Sequence, residues 1–331
     1  MTAYTNLTGI PLSVALWLTT DDYDYDQRSN HISATTLLKP VRQIVLSARV
    51  PPQDAIPDIA SLVPSRMGSA IHGQIEQSWL KRYKEGLIAL GYPQKVVDKV
   101  RVNPTPEEAV GDIIPVYLER RAERHIDGYV VSGKFDFVAD GRLEDFKSTG
   151  VFTYMSNSND AKYIKQGSIY RWLNPDIITQ DRMAIQFIFT DWSRQRASIE
   201  RAKGYPQNRT LEHVLPLDSP AATEAWIRTK LSQITQYQTA PDELIPRCTD
   251  EDLWRKSPVW KYYKNKDKMS RSTKNFDTQG EANIRLAEDG YTGVVVEVKG
   301  KVTACKYCSA FPVCKQKDEY LKSGELEIEE L

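Results

Sequence analysis

Read from the N-terminus, the apolar positions switch between helical and strand spacing. The stretch around Ile10 to Leu18 predicts a short apolar helix. Ser33 is a polar cap leading into Leu37, Leu38, Val41 and Val45, a helix-like series interrupted by Pro40, and Pro51 to Pro64 reads as loop. From about Ser65 to Leu90, Ala70, Ile71, Ile75, Trp79 and Leu80 give a helix an apolar side, which Gly91 ends. Residues 115–147 read as strands, because Val130, Val131, Phe135, Phe137 and Val138 are β-formers and Asp140-Gly141 is a hairpin turn. A second helix covers about Asp160 to Leu173, and the uniformly apolar Met183 to Phe189 predicts a buried central strand. Residues 194–217 read as an exposed hairpin, and Ser219-Pro220 opens a long helix to about Tyr237. This order predicts an α/β fold with a mixed central sheet flanked by helices.

Chemistry enters with Gly133-Lys134-Phe135-Asp136, the Asp140-Gly141 turn, and Glu144-Asp145-Phe146-Lys147. Alternate residues of a strand share a face, so Asp145 and Lys147 point the same way, and the hairpin brings Asp136 beside them. Two carboxylates and an ammonium at one spot suit phosphodiester hydrolysis, in which oxygen ligands hold Mg²⁺ or Mn²⁺ and the ion activates water and neutralises charge. Solvated strand-end charges explain the same short motif. Other spacings add to it. Gly68, His72 and Glu76 recur at four-residue intervals on one helix face, Gly68 permitting close backbone approach, and Gln166 and Tyr170 repeat the interval on the next helix.

Taken in this order, the motifs at 68–76, 133–136, 144–147 and 166–170 resemble the RecB-like branch of the PD-(D/E)XK nucleases. The resemblance implies a restriction-endonuclease-like core. It implies a metal site of His72, Asp136, Asp145 and the Phe146 carbonyl, with Lys147 as catalytic lysine. Gln166 and Tyr170 would line the site and hold DNA or the attacking water, Glu76 would orient His72, and Glu119 would lie nearby.

Cys305, Cys308 and Cys314 crowd the C-terminus, and Cys248 is the fourth cysteine. The spacing suits an iron–sulfur cluster or a structural zinc. It resembles the iron–sulfur staple of AddB-type and CRISPR-adaptation nucleases, which implies a [4Fe–4S] cluster. Those relatives take one cysteine from before the nuclease motifs. Here the counterpart is Lys39-Pro40, without a thiol, and Cys248 would replace it.

Residues 254–276 hold eight basic residues against one acid, Asp267, with Trp254, Trp260, Tyr262, Tyr263 and Phe276 interleaved. Cations neutralise phosphates and rings stack on unpaired bases, which makes Trp254, Trp260, Lys261 and Lys264 candidate DNA contacts, with Arg66 a further one. A solvated loop with inward-packed aromatics is the alternative. The chain is 331 residues long and carries 44 basic against 44 acidic residues, a balance that argues against a protein that merely coats nucleic acid. The first twenty residues lack a secretory signal, so a cytoplasmic protein (host cytoplasm if phage-encoded) without membrane association is expected. In that reducing compartment the cysteines are not expected to form disulfides.

Three segments follow: 1–64 packing on the core, a nuclease core at 65–240, and a basic, aromatic and cysteine-bearing lobe at 241–331. The acidic, Tyr-rich stretch Asp21 to Asp26 and the acidic tail of Glu325, Glu327, Glu329 and Glu330 read as solvated. The functional expectation is an exonuclease on linear single- or double-stranded DNA ends, in recombination, repair or phage DNA metabolism. The rivals are a non-catalytic DNA-binding scaffold with the same fold and a metal-binding adaptor.

Overall fold

The computed structural model describes residues 3–20, 26–54 and 56–328. Asp21 to Tyr25, Glu329 and Glu330 lie outside the described residues. In chain order the early elements are α1 (Leu12–Thr19), β1 (His31–Ser33), α2 (Ala34–Leu37), α3 (Val41–Ser47), α4 (Val63–Ala89) and α5 (Gln94–Val97). Next come β2 (Val100–Val102), β3 (Ile114–Ile126), β4 (Tyr129–Ala139), β5 (Arg142–Thr149), α6 (Val151–Met155) and α7 (Asp160–Leu173). Then follow β6 (Arg182–Phe189), α8 (Arg194–Ile199), β7 (Thr210–Pro216) and α9 (Pro220–Tyr237). The chain ends with β8 (Val259–Tyr263), β9 (Lys274–Phe276), α10 (Gln279–Glu288), β10 (Val294–Val298) and α11 (Lys315–Ser323).

These elements form two compact units, Met1–Lys39 with Ile56–Gln233, and Pro40–Ala55 with Ile234–Leu331. Pro40 stops α2, as its missing N–H and its effect on the preceding residue dictate, and the chain after it joins the C-terminal lobe.

The first unit is α/β with a seven-stranded mixed sheet. Its backbone path runs β2-β3-β4-β5-β6-β7, and β1 pairs with β4. Two hairpins build its middle. Asp127-Gly128 joins β3 to β4 and Asp140-Gly141 joins β4 to β5, all four residues having φ between 48° and 81°. That left-handed geometry is what two-residue turns between twisted strands require. At Gly141 an added Cβ would also stand 2.1 Å from Thr179 Oγ1.

Strand β6 is buried as its composition predicts, between parallel β5 and antiparallel β7. Phe187 and Phe189 are at most 1% exposed, each burial contributing about 1.5–3 kcal/mol. Helix α4 lies against one face, Trp79, Tyr83 and Leu87 meeting Val116, Leu118 and Phe137. Leu80 stays 43% exposed, so the apolar side of α4 is narrower than its sequence suggests. On α7, Ile169 and Trp172 are buried.

The expected hairpin at 194–217 does not form. Ser193 caps α8 through Arg196 N, and only β7 pairs, with β6. Tyr205 is buried beneath the Arg196 guanidinium, which removes the segment's middle from strand pairing.

The second unit holds α3, the three-stranded sheet β10-β8-β9, α10 and the cysteine segment. Val41, Val45, Leu46, Ile245 and Ala310 form its core beside Cys308 and Cys314. Glu325 is not solvated as expected, because it pairs with Arg255 at 2.5 Å, and Glu327 pairs with Lys301. Among the described residues no helix is long and apolar enough to cross a membrane.

Candidate active site

The site opens where two strands part. One edge of β4 pairs with β5 at residues 137–139 and with parallel β1 at residues 130–132. Between those stretches lie Gly133, Lys134, Phe135 and Asp136, and across the fork β5 continues as Asp145, Phe146 and Lys147. A splayed strand leaves backbone groups needing partners. Asp136 Oδ2 accepts the Phe146 N–H at 2.9 Å, and His72 Nε2 donates to the Phe146 carbonyl at 2.9 Å.

His72 arrives from α4, its Nδ1 3.5 Å from Asp136 Oδ2 and its ring edge-on to Phe146 at 5.7 Å. Lys147 Nζ lies 2.5 Å from Asp145 Oδ2. Among the described residues the buried Asp145 Oδ2 has no other partner. Asp145 Oδ1 accepts from Gln166 Nε2 at 3.4 Å, and Gln166 also donates to the Tyr170 hydroxyl at 2.8 Å. Tyr170 is buried, so it supports Gln166 from behind. Its ring also explains Gly133, where an added Cβ would stand 2.8 Å from Tyr170 Cε1. At Gly68 a Cβ would meet Ser148 Oγ at an ordinary 3.5 Å, so no close backbone approach demands glycine there.

Glu119 and Asp136 sit opposite each other at a rung missing from the β3–β4 ladder. Glu119 has φ +47°, rare for a non-glycine residue and most of all within a strand. His72, Glu119 and Asp136 each offer a ligand atom within 4.8 Å of the others. Glu119 also pairs with Lys134 at 2.5 Å. Glu76 lines the cleft but makes no hydrogen bond to His72, which Phe146 and Asp136 hold instead.

Charge is tightly balanced here. Burial pushes the Asp145 and Glu119 carboxyls above the usual carboxylate range, against the pull of Lys147 and Lys134 respectively. Burial acts on Asp136 in the same direction, but His72 and Lys147 outweigh it and hold Asp136 low. It also opposes charge on Lys147 and His72, yet the neighbouring carboxylates raise both above their ordinary values.

The donor set fits a hard divalent cation: carboxylate oxygens, one carbonyl, one imidazole, and a buried carboxylate oxygen whose one close partner is the Lys147 ammonium. These groups floor a cleft of about 1190 Å³, above the roughly 300–1,000 Å³ of small-molecule pockets and so roomy enough for a polymer.

Sequence reasoning missed several residues here. Lys39, Arg121 and Lys134 line the cleft, and Tyr163 lies under Lys147 with Nζ 5.8 Å from its ring. Tyr163 was findable, since it shares a helical face with Gln166 and Tyr170. His31, bonded to Ser132 Oγ at 2.6 Å, also lines the cleft. Arg66 lines it too, with Nε donating to the Leu18 carbonyl.

In the second unit, Gln316 joins Cys248 to α11 by two hydrogen bonds, to Cys248 N and O. This brings Cys248 within electrostatic range of Cys308 and Cys314. Burial pushes the Cys248 thiol up to about 12 and that of Cys305 up to about 11. Beyond Pro40 stands Arg42, 4% exposed, donating from Nε to Cys314 Sγ at 3.3 Å and pairing with Asp242.

Trp254 is 51% exposed against Tyr307, while Trp260 and Lys261 are half-buried in β8 and Lys264 is exposed beyond it.

No family model and no curated protein matches the chain. Among solved structures, the protein SSO0001 is similar at 14% identity and TM-score 0.39, over 67% of this chain and 85% of that one. A phage-related exonuclease from Haemophilus somnus 129PT is similar at 14% identity and TM-score 0.26, over 49% of this chain and 68% of that one. Likenesses at these TM-scores carry no argument about this chain.

Proposed function

We propose that this chain is a metal-dependent DNA nuclease of the PD-(D/E)XK kind, an exonuclease on linear DNA ends serving recombination, repair or phage DNA metabolism. The observation that carries the reading is the strand fork, where Asp136, Asp145 and the Phe146 carbonyl converge with His72 and Lys147 on the floor of a wide cleft. His72, Asp136, Asp145 and the Phe146 carbonyl would hold Mg²⁺ or Mn²⁺, and Glu119, which offers an oxygen within 4.8 Å of ligand atoms of His72 and Asp136, would join them. Such an ion supplies Lewis-acid charge neutralisation and activates the nucleophile.

The side chains do the rest. The Lys147 ammonium, fixed by Asp145, orients the attacking water and offsets charge on the phosphate oxygens. Gln166 holds Asp145 in position, and Tyr170 holds Gln166. Lys39, Arg66 and Arg121 lie along the cleft where they meet flanking phosphates. The four cysteines would hold a [4Fe–4S] cluster, with a structural zinc as the alternative and Cys248 as fourth ligand, supported by the spacing of Cys305, Cys308 and Cys314 and by Cys248 lying within electrostatic range of Cys308 and Cys314.

The test is incubation of purified protein with end-labelled linear single- and double-stranded DNA and Mg²⁺ or Mn²⁺, with closed circular DNA and Lys147→Ala alongside. Label lost from linear DNA alone, and retained with the variant, is the expected result. Intact DNA in the presence of folded, metal-loaded protein would leave the DNA-binding scaffold as the function.

A further inference from the structure

In the sequence, rings and cations alternate over 254–276 as if to present both to one ligand. The fold separates them. Tyr262 is fully buried and donates its hydroxyl to Asp289 Oδ2 at 2.7 Å, just beyond α10, and Tyr263 is 8% exposed. Trp260 and Phe276 face each other across the β8–β9 register. The rings therefore build the hairpin, and its connecting loop carries the charge.

That loop, with the first residue of β9, contains Lys264, Lys266, Lys268, Arg271 and Lys274 against the single acid Asp267, in a chain with no net charge. All five cations are exposed. None forms an ion pair within 4.0 Å among the described residues; Lys264 is within electrostatic range of Asp289, and Lys274 Nζ stands 4.9 Å from the Phe276 ring centre. The loop is ordered by its own polar groups: Asn265 accepts from the Asp267 and Lys268 amides, and Thr273 Oγ1 accepts from Lys264 N at 3.0 Å. A held loop presenting five exposed cations against one acid, with no exposed ring among them, suits a line of phosphates better than unpaired bases.

We propose that the β8–β9 hairpin grips the phosphate backbone of nucleic acid through these five cations, without stacking on bases. The choice of ligand rests on the nuclease reading above; the surface itself does not. Binding here responds to salt and is indifferent to sequence, and it tolerates duplex and single strand alike. An anionic membrane or an acidic protein are the other ligands such a loop could meet.

The test is fluorescence anisotropy of the full chain with labelled duplex and single-stranded oligonucleotides, in EDTA so that nothing turns over, across a salt series. Each lost phosphate contact lowers the slope of log affinity against log salt by ~0.9 on duplex and ~0.7 on single strands. The triple variant Lys266→Ser, Lys268→Ser, Arg271→Ser should therefore flatten the duplex slope by about 2.7, so a fourfold rise in salt costs the parent about 40-fold more affinity than the variant. The variant Lys266→Arg, Lys268→Arg should keep the parental slope. An unchanged slope in a triple variant that melts like the parent overturns the proposal, and binding to anionic vesicles or polyglutamate in preference to DNA overturns it too. Lys147→Ala separates the two readings, because it should abolish cleavage while lowering this slope by no more than one contact, ~0.9 on duplex, against about 2.7 for the triple variant.

Discussion

Glu119 lies across from Asp136 at a broken rung of the β3–β4 ladder, with its backbone in the left-handed region. The conformation turns a strand carboxylate toward the fork, and a residue with a Cβ holds it at a cost of roughly 1–2 kcal/mol. The usual order of alanine over glycine in a strand should therefore invert. Glu119→Gly should be more stable than Glu119→Ala by about 1 kcal/mol, read from urea midpoints, while both bind Mn²⁺ more weakly than the parent. Equal midpoints would remove the strain argument.

Gly133 and Tyr170 make a second pairing that one methyl group disturbs. Gly133→Ala places Cβ 2.8 Å from the ring, which should cost about 1–3 kcal/mol and shift Gln166 away from Asp145. In a Tyr170→Ala background the same change should cost less than half as much. Additive costs would mean that the ring is not what excludes the methyl.

Lys147 neutralises a buried carboxylate, so its loss should be felt in stability as well as in the proposed cleavage. Lys147→Met should destabilise by about 2 kcal/mol, the low side for a broken buried pair because Lys147 borders the open cleft. Adding Asp145→Asn should restore much of that stability while cleavage stays absent. A double variant melting below the single one would show that the pair is not the source of the loss.

Protein purified without oxygen should be brown and absorb near ~400 nm, and Cys248→Ser should lose that band. Colourless parent protein with one zinc per chain would reverse the cluster assignment. Colour retained in Cys248→Ser would take Cys248 out of the ligand set.

Asp58 accepts from Leu7 N at 2.7 Å, Ala60 N at 3.0 Å and the Thr5 hydroxyl. The backbone hydrogen bonds hold its carboxyl below the ordinary range. A depressed folded pKa means that this stabilisation is complete above the unfolded carboxylate value, ~3.9, and fades as pH falls through the lower folded one. Hydrogen exchange at the Leu7 amide should show protection at pH 5 that is lost in stronger acid, and Asp58→Asn should weaken it at both. Protection independent of pH would show that the carboxylate does not hold this turn.

The core of the site was legible because its signals are local. Asp140-Gly141 fixes a hairpin, alternation sets Asp145 and Lys147 on one face, and a uniformly apolar β6 announces its own burial. What escaped depends on tertiary placement. The flipped Glu119 backbone has no composition cue, and β1, three residues long, gives no periodicity from which its pairing with β4 follows. The alternation of rings and cations at 254–276 was visible, but which of them face inward is decided by α10 packing on the sheet. Asp127-Gly128 carries the same turn signal as Asp140-Gly141 and closes the β3–β4 hairpin in the same way.

The chain leaves the first unit at Pro40, forms α3, and re-enters at Ile56 long before the rest of the second unit exists. A ribosome therefore releases Val41, Val45, Leu46 and the guanidinium of Arg42 well ahead of Asp242, Ile245 and Cys314, the groups that cover and neutralise them. At ~5–20 residues per second the wait lasts roughly 15 to 50 s. For that interval a sticky, cationic helix stands uncovered on every nascent chain, and a premature stop codon anywhere before Asp242 would make the exposure permanent.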